Sequence, residues 1–178
     1  SSFEVIALKR GAKALIRRMY RDLFRSDEVQ VAMVGLGTVG GGVLEYAANL
    51  FSTEKTAVKL GFPLALVRDK KKKRPNFEGK LVEKFEDLLK DERVDVVAEL
   101  MGGLEPAREY VLKALEAGKD VVTANKALMA EHGKEILDMA RKHRRNIGFE
   151  AAVCGEIPII ETVRNLPSDA DVQGFVGI

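Results

Sequence analysis

The sequence predicts an α/β fold built on a doubly wound parallel sheet. From residue 29 onward, short apolar runs alternate with stretches of helical periodicity, the pattern of parallel strands joined by crossover helices. Val94–Leu100 is a near-continuous apolar run, as expected of a strand covered on both faces. Val29–Val34 leads directly into Gly35-Leu36-Gly37-Thr38-Val39-Gly40, and a helical pattern follows. Strand, GxGxxG and helix in that order form the dinucleotide-binding fingerprint in the context that gives it weight. The predicted sheet is therefore of the Rossmann type.

The elements follow in chain order. Residues 4–25 read as an amphipathic helix, with Leu8, Ala12, Leu15, Met19 and Leu23 at helical spacing and mostly Lys and Arg between them. Residues 1–28 are thus expected to be a basic amphipathic helical extension, docked on its neighbour with a solvated basic face. Residues 29–178 are expected to form an NAD(P)-binding domain. Val29–Val34 is its first strand and residues 38–51 its first helix. Phe62–Val67 is the second strand, and Lys70–Arg74 a basic turn ended by Pro75. Phe85–Leu89 is a short helix and Val94–Leu100 a strand. In Pro106–Ala117, Ala107, Tyr110, Val111, Ala114 and Leu115 share one face, so this is a helix. Pro106 suits its first turn and Gly118 its end. Asp120–Ala124 is a strand, Leu128–His143 a helix, Ile147–Val153 a strand, Pro158–Leu166 a helix and Val172–Ile178 a last strand. No internal repeat is visible.

Composition narrows the function classes. The 178 residues suit one domain with a real core, and 46% are hydrophobic, which implies a globular chain. A net charge of +2 gives no global field for nucleic acid. No apolar run reaches the length of a membrane span. Cys154 is the single cysteine and has no partner for an internal disulfide, which fits a reducing, cytoplasmic setting. An organelle is the alternative if the basic N-terminal helix is a targeting remnant. The chain starts at Ser1 and ends inside a strand-like segment, so it reads as a piece of something longer.

Ligands of such folds sit outside the carboxyl ends of the strands. Gly35 is expected to allow the tight turn, Gly37 the close approach of a pyrophosphate, and Gly40 close packing of the helix on the strand. Thr38 and Val39 open that helix, whose free N–H groups face the phosphates. After the second strand come Arg68 and Asp69. An acid here binds the ribose hydroxyls of NAD, whereas an arginine accommodates the 2′-phosphate of NADP. Arg forks two bonds onto a phosphate, so NADP is the better fit, and Asp69 keeps NAD open. The lysines behind Arg68 read as a solvated turn. Met101 and Gly102, in Glu99-Leu-Met-Gly-Gly103, are expected beside the nicotinamide half. Val121-Val-Thr-Ala-Asn-Lys126 is expected to deliver Asn125 and Lys126 to the same crevice. An ammonium there can polarise a carbonyl oxygen or donate a proton, although spacing alone favours an ordinary helix-start lysine.

Four segments taken together resemble homoserine dehydrogenase: Gly35-Leu-Gly-Thr-Val-Gly40, Met101-Gly-Gly-Leu-Glu-Pro106, Val121-Val-Thr-Ala-Asn-Lys-Ala-Leu128 and Glu150-Ala-Ala-Val-Cys-Gly-Glu-Ile-Pro-Ile159. They fall in the right order over residues 29–178. The resemblance implies reversible reduction of L-aspartate 4-semialdehyde to L-homoserine with NAD(P)H, on the route to threonine and methionine. The substrate is a small molecule, and neither nucleic acid nor membrane is a partner. The resemblance implies a homo-oligomeric parent, with Lys126 beside nicotinamide and substrate as the catalytic lysine. It also implies a monovalent cation held by the main-chain carbonyls of Glu150, Val153, Gly155 and Ile157. Glu156 departs from the pattern, because glycine or alanine is usual there. The family's substrate and dimerisation domain would begin beyond Ile178, so the isolated chain is expected to be inactive. Another amino-acid dehydrogenase is a weaker reading, since the Thr-Ala-Asn-Lys motif argues against it. A nucleotide-binding regulatory module or inactive remnant is the non-enzymatic alternative. A surface-binding role for the basic helix ranks last.

Overall fold

The computed structural model describes residues 28–52, 59–74, 76–153, 157, 159–167 and 170–174. The expected N-terminal helix over residues 4–25 lies outside the described residues. The element order is β1 (Glu28–Val34), α1 (Thr38–Ser52), β2 (Lys59–Leu66), β3 (Lys80–Val82), α2 (Phe85–Leu89), β4 (Val96–Glu99), α3 (Ala107–Glu116), β5 (Asp120–Thr123), α4 (Lys126–His143), β6 (Ile147–Gly148), a 3-10 turn (Glu150–Ala152) and α5 (Ile159–Arg164). The strands form one six-stranded sheet in the order β3-β2-β1-β4-β5-β6, and every pairing is parallel. This is the doubly wound order, with its reversal between β1 and β4.

Strand periodicity divides the core. Ala32 and Val34 point to one face, where Phe85, Leu88, Val111, Leu128 and Ile136 from α2, α3 and α4 join them. Val31 and Met33 point to the other, against Val43 and Leu44 of α1. Met33, Leu88 and Leu128 are fully buried, and each such side chain contributes about 1.5–3 kcal/mol through removal from water. Asn125 starts α4 as its N-cap, with its side-chain oxygen accepting the Leu128 N–H at 3.1 Å. The same helix ends on Arg144 in the left-handed region, φ 52°. Arg108 of α3 forks onto Glu135 of α4, one bond running from Nε to Oε2 at 2.7 Å and the other from Nη2 to Oε1. Hydrogen bonding to that guanidinium holds the Glu135 carboxyl below the usual carboxylate range.

Three expectations need correction. β3 was not foreseen; its three residues are too few to show a period, and it forms only because Leu64–Leu66 of β2 offers a free edge. The strand expected over Ile147–Val153 stops at Gly148. Pairing reaches only Val121↔Ile147 and Val122↔Gly148. Beyond them the Phe149 carbonyl accepts the Ala152 N–H at 2.9 Å, and the chain tightens into the 3-10 turn. The last strand, over Val172–Ile178, is absent as far as residue 174. Val172 is 45% exposed, and among the described residues no strand pairs with it. The rest of that segment lies outside the described residues.

Candidate functional site

The carboxyl ends of β1 and β4 meet at the switch point, and the glycine turn sits there. Gly35 has φ +103°, a region that costs a side-chain-bearing residue about 1–2 kcal/mol. Its N–H donates to the Leu66 carbonyl at 3.1 Å, and the Leu100 N–H donates to the Val34 carbonyl at 2.9 Å. A Cβ on Gly40 would lie 2.5 Å from the Gly35 carbonyl oxygen, so only glycine lets α1 start this close to β1. A Cβ on Gly37 would meet nothing within 4 Å. That open space is bounded by the first turn of α1, in which Thr38 and Val39 are exposed. The turn carries no acidic side chain, so its positive end is uncompensated. Open room at Gly37 beside free helix N–H groups fits a diphosphate.

The cradle opens into a cleft of about 620 Å³. Gly35 and Gly37 line it, with Leu100, Met101, Pro106 and Tyr110. Tyr110 stacks on Phe85, with ring centroids 4.2 Å apart. Charged groups also line the cleft: Arg68, Asp69, Lys72, Arg74 and Glu83. The basic turn is ordered by its own bonds. Arg74 Nη1 donates to the carbonyls of Asp69 and Lys72 at 2.9 and 2.8 Å. Asp69 Oδ1 accepts the Lys71 N–H at 2.7 Å. Glu83 accepts the Lys70 N–H at 3.3 Å and pairs with Lys70 Nζ at 3.6 Å.

Met101 and Gly102 follow β4, with Met101 on the cleft and Gly102 exposed beside it. Gly102 and Gly103 have φ +74° and +77°, so this turn needs glycine twice. Lys126 is exposed at the first position of α4. It lines a neighbouring cleft, of about 600 Å³, with Met129, Leu137, Phe149, Ala152 and Val153. An ammonium at a helix's positive end gains nothing from the dipole, so helix stability does not account for this lysine. Of the carbonyls expected to hold a cation, Glu150 accepts the Val153 N–H at 2.9 Å and Ile157 the Ile159 N–H at 2.8 Å. Each keeps one lone pair. Gly155 lies outside the described residues, as do Cys154 and Glu156.

The sequence reading takes Lys72 as part of a solvated turn and Tyr110 as core. It gives no site role to Arg74, Glu83 or the carboxylate of Glu99, whereas Lys72, Arg74, Tyr110 and Glu83 line the cleft. Lys72 and Arg74 were visible as a charge run. Glu99 left a fainter signal, a charge near the carboxyl end of the largely apolar run Val94–Leu100, which also holds Asp95 near its start. Among the described residues no cluster of His, Cys, Asp and Glu fits a metal ion, and no helix is long and apolar enough to cross a membrane.

Comparison with known proteins gives a consistent picture. Residues 35–150 match the family model described as the NAD-binding domain of homoserine dehydrogenase. The chain is 43% identical over 154 residues to a homoserine dehydrogenase of Mycobacterium bovis, covering 84% of this chain and 34% of that protein. It is 37% identical over 160 residues to the Lactococcus lactis enzyme, covering 84% and 36%. The crystal structure of a homoserine dehydrogenase from Thiobacillus denitrificans superposes with a TM-score of 0.70 at 41% identity, covering 78% of this chain and 33% of that one. The chain thus spans about a third of the length of these relatives.

Proposed function

Because this chain belongs to the homoserine dehydrogenase family through its NAD-binding domain, we propose that it is the cofactor-holding part of an enzyme interconverting L-homoserine and L-aspartate 4-semialdehyde. The observation that carries the reading is the contrast within the fingerprint. Gly40 is closed by the Gly35 carbonyl, while Gly37 faces open space at the start of α1. In this reading the N–H groups of Gly37, Thr38 and Val39 grip the diphosphate. Met101 and Gly102 seat the nicotinamide half. When bound, the dinucleotide supplies the reducing equivalent exchanged with the substrate carbonyl carbon.

Arg68 and Lys72 favour NADP over NAD. They line the cleft and supply charge-assisted donors that a 2′-phosphate accepts and a bare hydroxyl uses poorly. Lys126 supplies the cationic donor for the substrate's carbonyl oxygen, polarising it and delivering the proton that the alcohol needs. The substrate and the subunit contacts of a homo-oligomer belong to the remainder of the enzyme. The free lone pairs of the Glu150 and Ile157 carbonyls, with Val153 and Gly155, are the proposed holders of a monovalent cation.

Titration of the purified chain with NADPH and NADH, followed by nicotinamide fluorescence, tests the proposal. Binding of either supports it, and no signal or heat with both overturns it. Arg68→Ala is expected to weaken NADPH at least about tenfold and NADH by much less. Equal losses remove Arg68 from the phosphate site.

A further inference from the structure

Glu99 is a carboxylate with no exposed surface, and no cation pairs with it among the described residues. Burying an unpaired charge is costly unless hydrogen bonds satisfy it. Here they do. Oε1 accepts the N–H groups of Met101 and Gly102 at 2.9 and 3.2 Å. Oε2 accepts the Thr123 hydroxyl at 2.6 Å. Thr123 Oγ1 in turn accepts the Asn125 N–H at 3.0 Å, so the direction of its own proton is fixed toward Glu99. Asn125 Nδ2 donates to the Gly103 carbonyl at 2.6 Å, and Asn125 Oδ1 caps α4. The bonds close a circuit. They hold the Met101–Gly103 turn at both ends and tie it to the helix that starts with Lys126.

An apolar residue would pack at the end of β4 without a desolvation cost. What it lacks is one oxygen that accepts two N–H groups of a turn with two successive positive φ angles, and a second oxygen that ties that turn to Thr123 of β5. We propose that Glu99 is a positioning residue for the cofactor's nicotinamide half. Its carboxylate sets the shape of the Met101–Gly103 turn and locks that turn in register with Lys126. The assignment rests on the cofactor reading above and goes beyond it, because the diphosphate cradle at Gly37 makes none of these bonds.

The test separates the two halves of the dinucleotide in the 178-residue chain. The ligands are NADPH and NADH, each beside its nicotinamide-free counterpart, ADP-ribose 2′-phosphate and ADP-ribose. The variants are Glu99→Gln, Thr123→Val and Thr123→Ser. Glu99→Gln turns an acceptor into a donor facing Thr123 Oγ1, and Thr123→Val deletes the hydroxyl at nearly constant volume. Both are expected to bind the nicotinamide-free ligands within about twofold of the parent chain and the complete cofactors at least about tenfold more weakly. Hydrogen exchange at the Met101 and Gly102 amides is expected to quicken in both. Thr123→Ser keeps the hydroxyl and should behave as the parent. A merely structural Glu99 would weaken all four ligands alike, and that result overturns the assignment. So does undiminished cofactor binding in a chain whose Met101 and Gly102 amides exchange faster. A parent chain that binds none of the four overturns the cofactor reading itself, a failure distinct from either of these.

Discussion

Two glycines of one fingerprint should fail in opposite ways when each is changed to alanine. In Gly40→Ala the new methyl lies 2.5 Å from the Gly35 carbonyl oxygen. That oxygen is backbone and cannot swing aside as a side chain would. Reaching ordinary contact, about 3.4 Å, requires α1 to back away from β1 by close to an ångström. Overpacking of this kind costs about 1–3 kcal/mol, which in a domain of this size lowers Tm by about 2–12 °C. The helix N-terminus moves with it, so cofactor affinity falls too. Gly37→Ala meets nothing within 4 Å, and its φ is not in the left-handed region. The fold should therefore tolerate it, or gain about 0.4–1 kcal/mol from a less flexible unfolded chain. In the proposed cofactor site, the methyl nevertheless stands where the diphosphate would approach. Losing one charge-assisted backbone bond costs about 1.5–3 kcal/mol, or about ten- to a hundredfold in affinity. Thermal unfolding and fluorescence titration of both variants check this directly. A Gly37→Ala chain that binds within about twofold of the parent, or melts as low as Gly40→Ala, refutes the reasoning.

In a full-length enzyme, Lys126→Ala should lower kcat at least about a hundredfold, the range of a lost general acid, with cofactor Kd little changed; near-normal turnover returns Lys126 to the surface lysines. Arg144→Gly should raise stability by about 1 kcal/mol, because glycine relieves the left-handed φ of 52° at the end of α4; chemical denaturation reads the change, and a lower midpoint contradicts it. Glu135→Gln tests the α3–α4 fork. The folded Glu135 carboxyl sits below its ordinary 4.5, so its contribution is full above that pH and is lost as pH falls through the lowered value. The variant should be less stable than the parent at pH 7 and match it in strong acid. A gap that stays constant with pH means that the fork does not act through charge.

The sequence displayed those parts of the fold that repeat a local rule. Val29–Val34 is apolar at five of six positions and Val94–Leu100 at five of seven, the pattern of a doubly covered strand, and both formed, the second over Val96–Glu99. The face made by Ala107, Val111, Ala114 and Leu115 is buried as its spacing demands. What stayed hidden depends on a partner. β3 exists because β2 has an unpaired edge, and β6 ends where β5 stops pairing. Neither fact is written in residues 80–82 or 147–153. The site divides in the same way. Gly35, Gly37 and Gly40 announce themselves by spacing, but Glu99 meets Thr123 and Asn125 only because β4 and β5 are neighbours. No periodicity within one segment encodes that meeting.

The balance of charge in the cleft follows from what each group is already doing. Glu83 is neutralised by Lys70, and one oxygen of Asp69 is taken by the Lys71 N–H. Arg74 spends Nη1 on two carbonyls of its own turn. Arg68 and Lys72 remain, and neither side chain has a partner among the described residues. A ribose diol would have to share Asp69 with the backbone. A 2′-phosphate would instead meet two uncommitted cations, and each such bond is roughly twice as strong as a neutral one. Because these cations are exposed, their attraction is screened by salt over a Debye length of about 10 Å at 0.1 M. Preference for NADPH over NADH should therefore shrink as ionic strength rises. If the groups on this cleft instead gripped a neutral ribose through Asp69, the ratio of the two affinities would be nearly indifferent to salt.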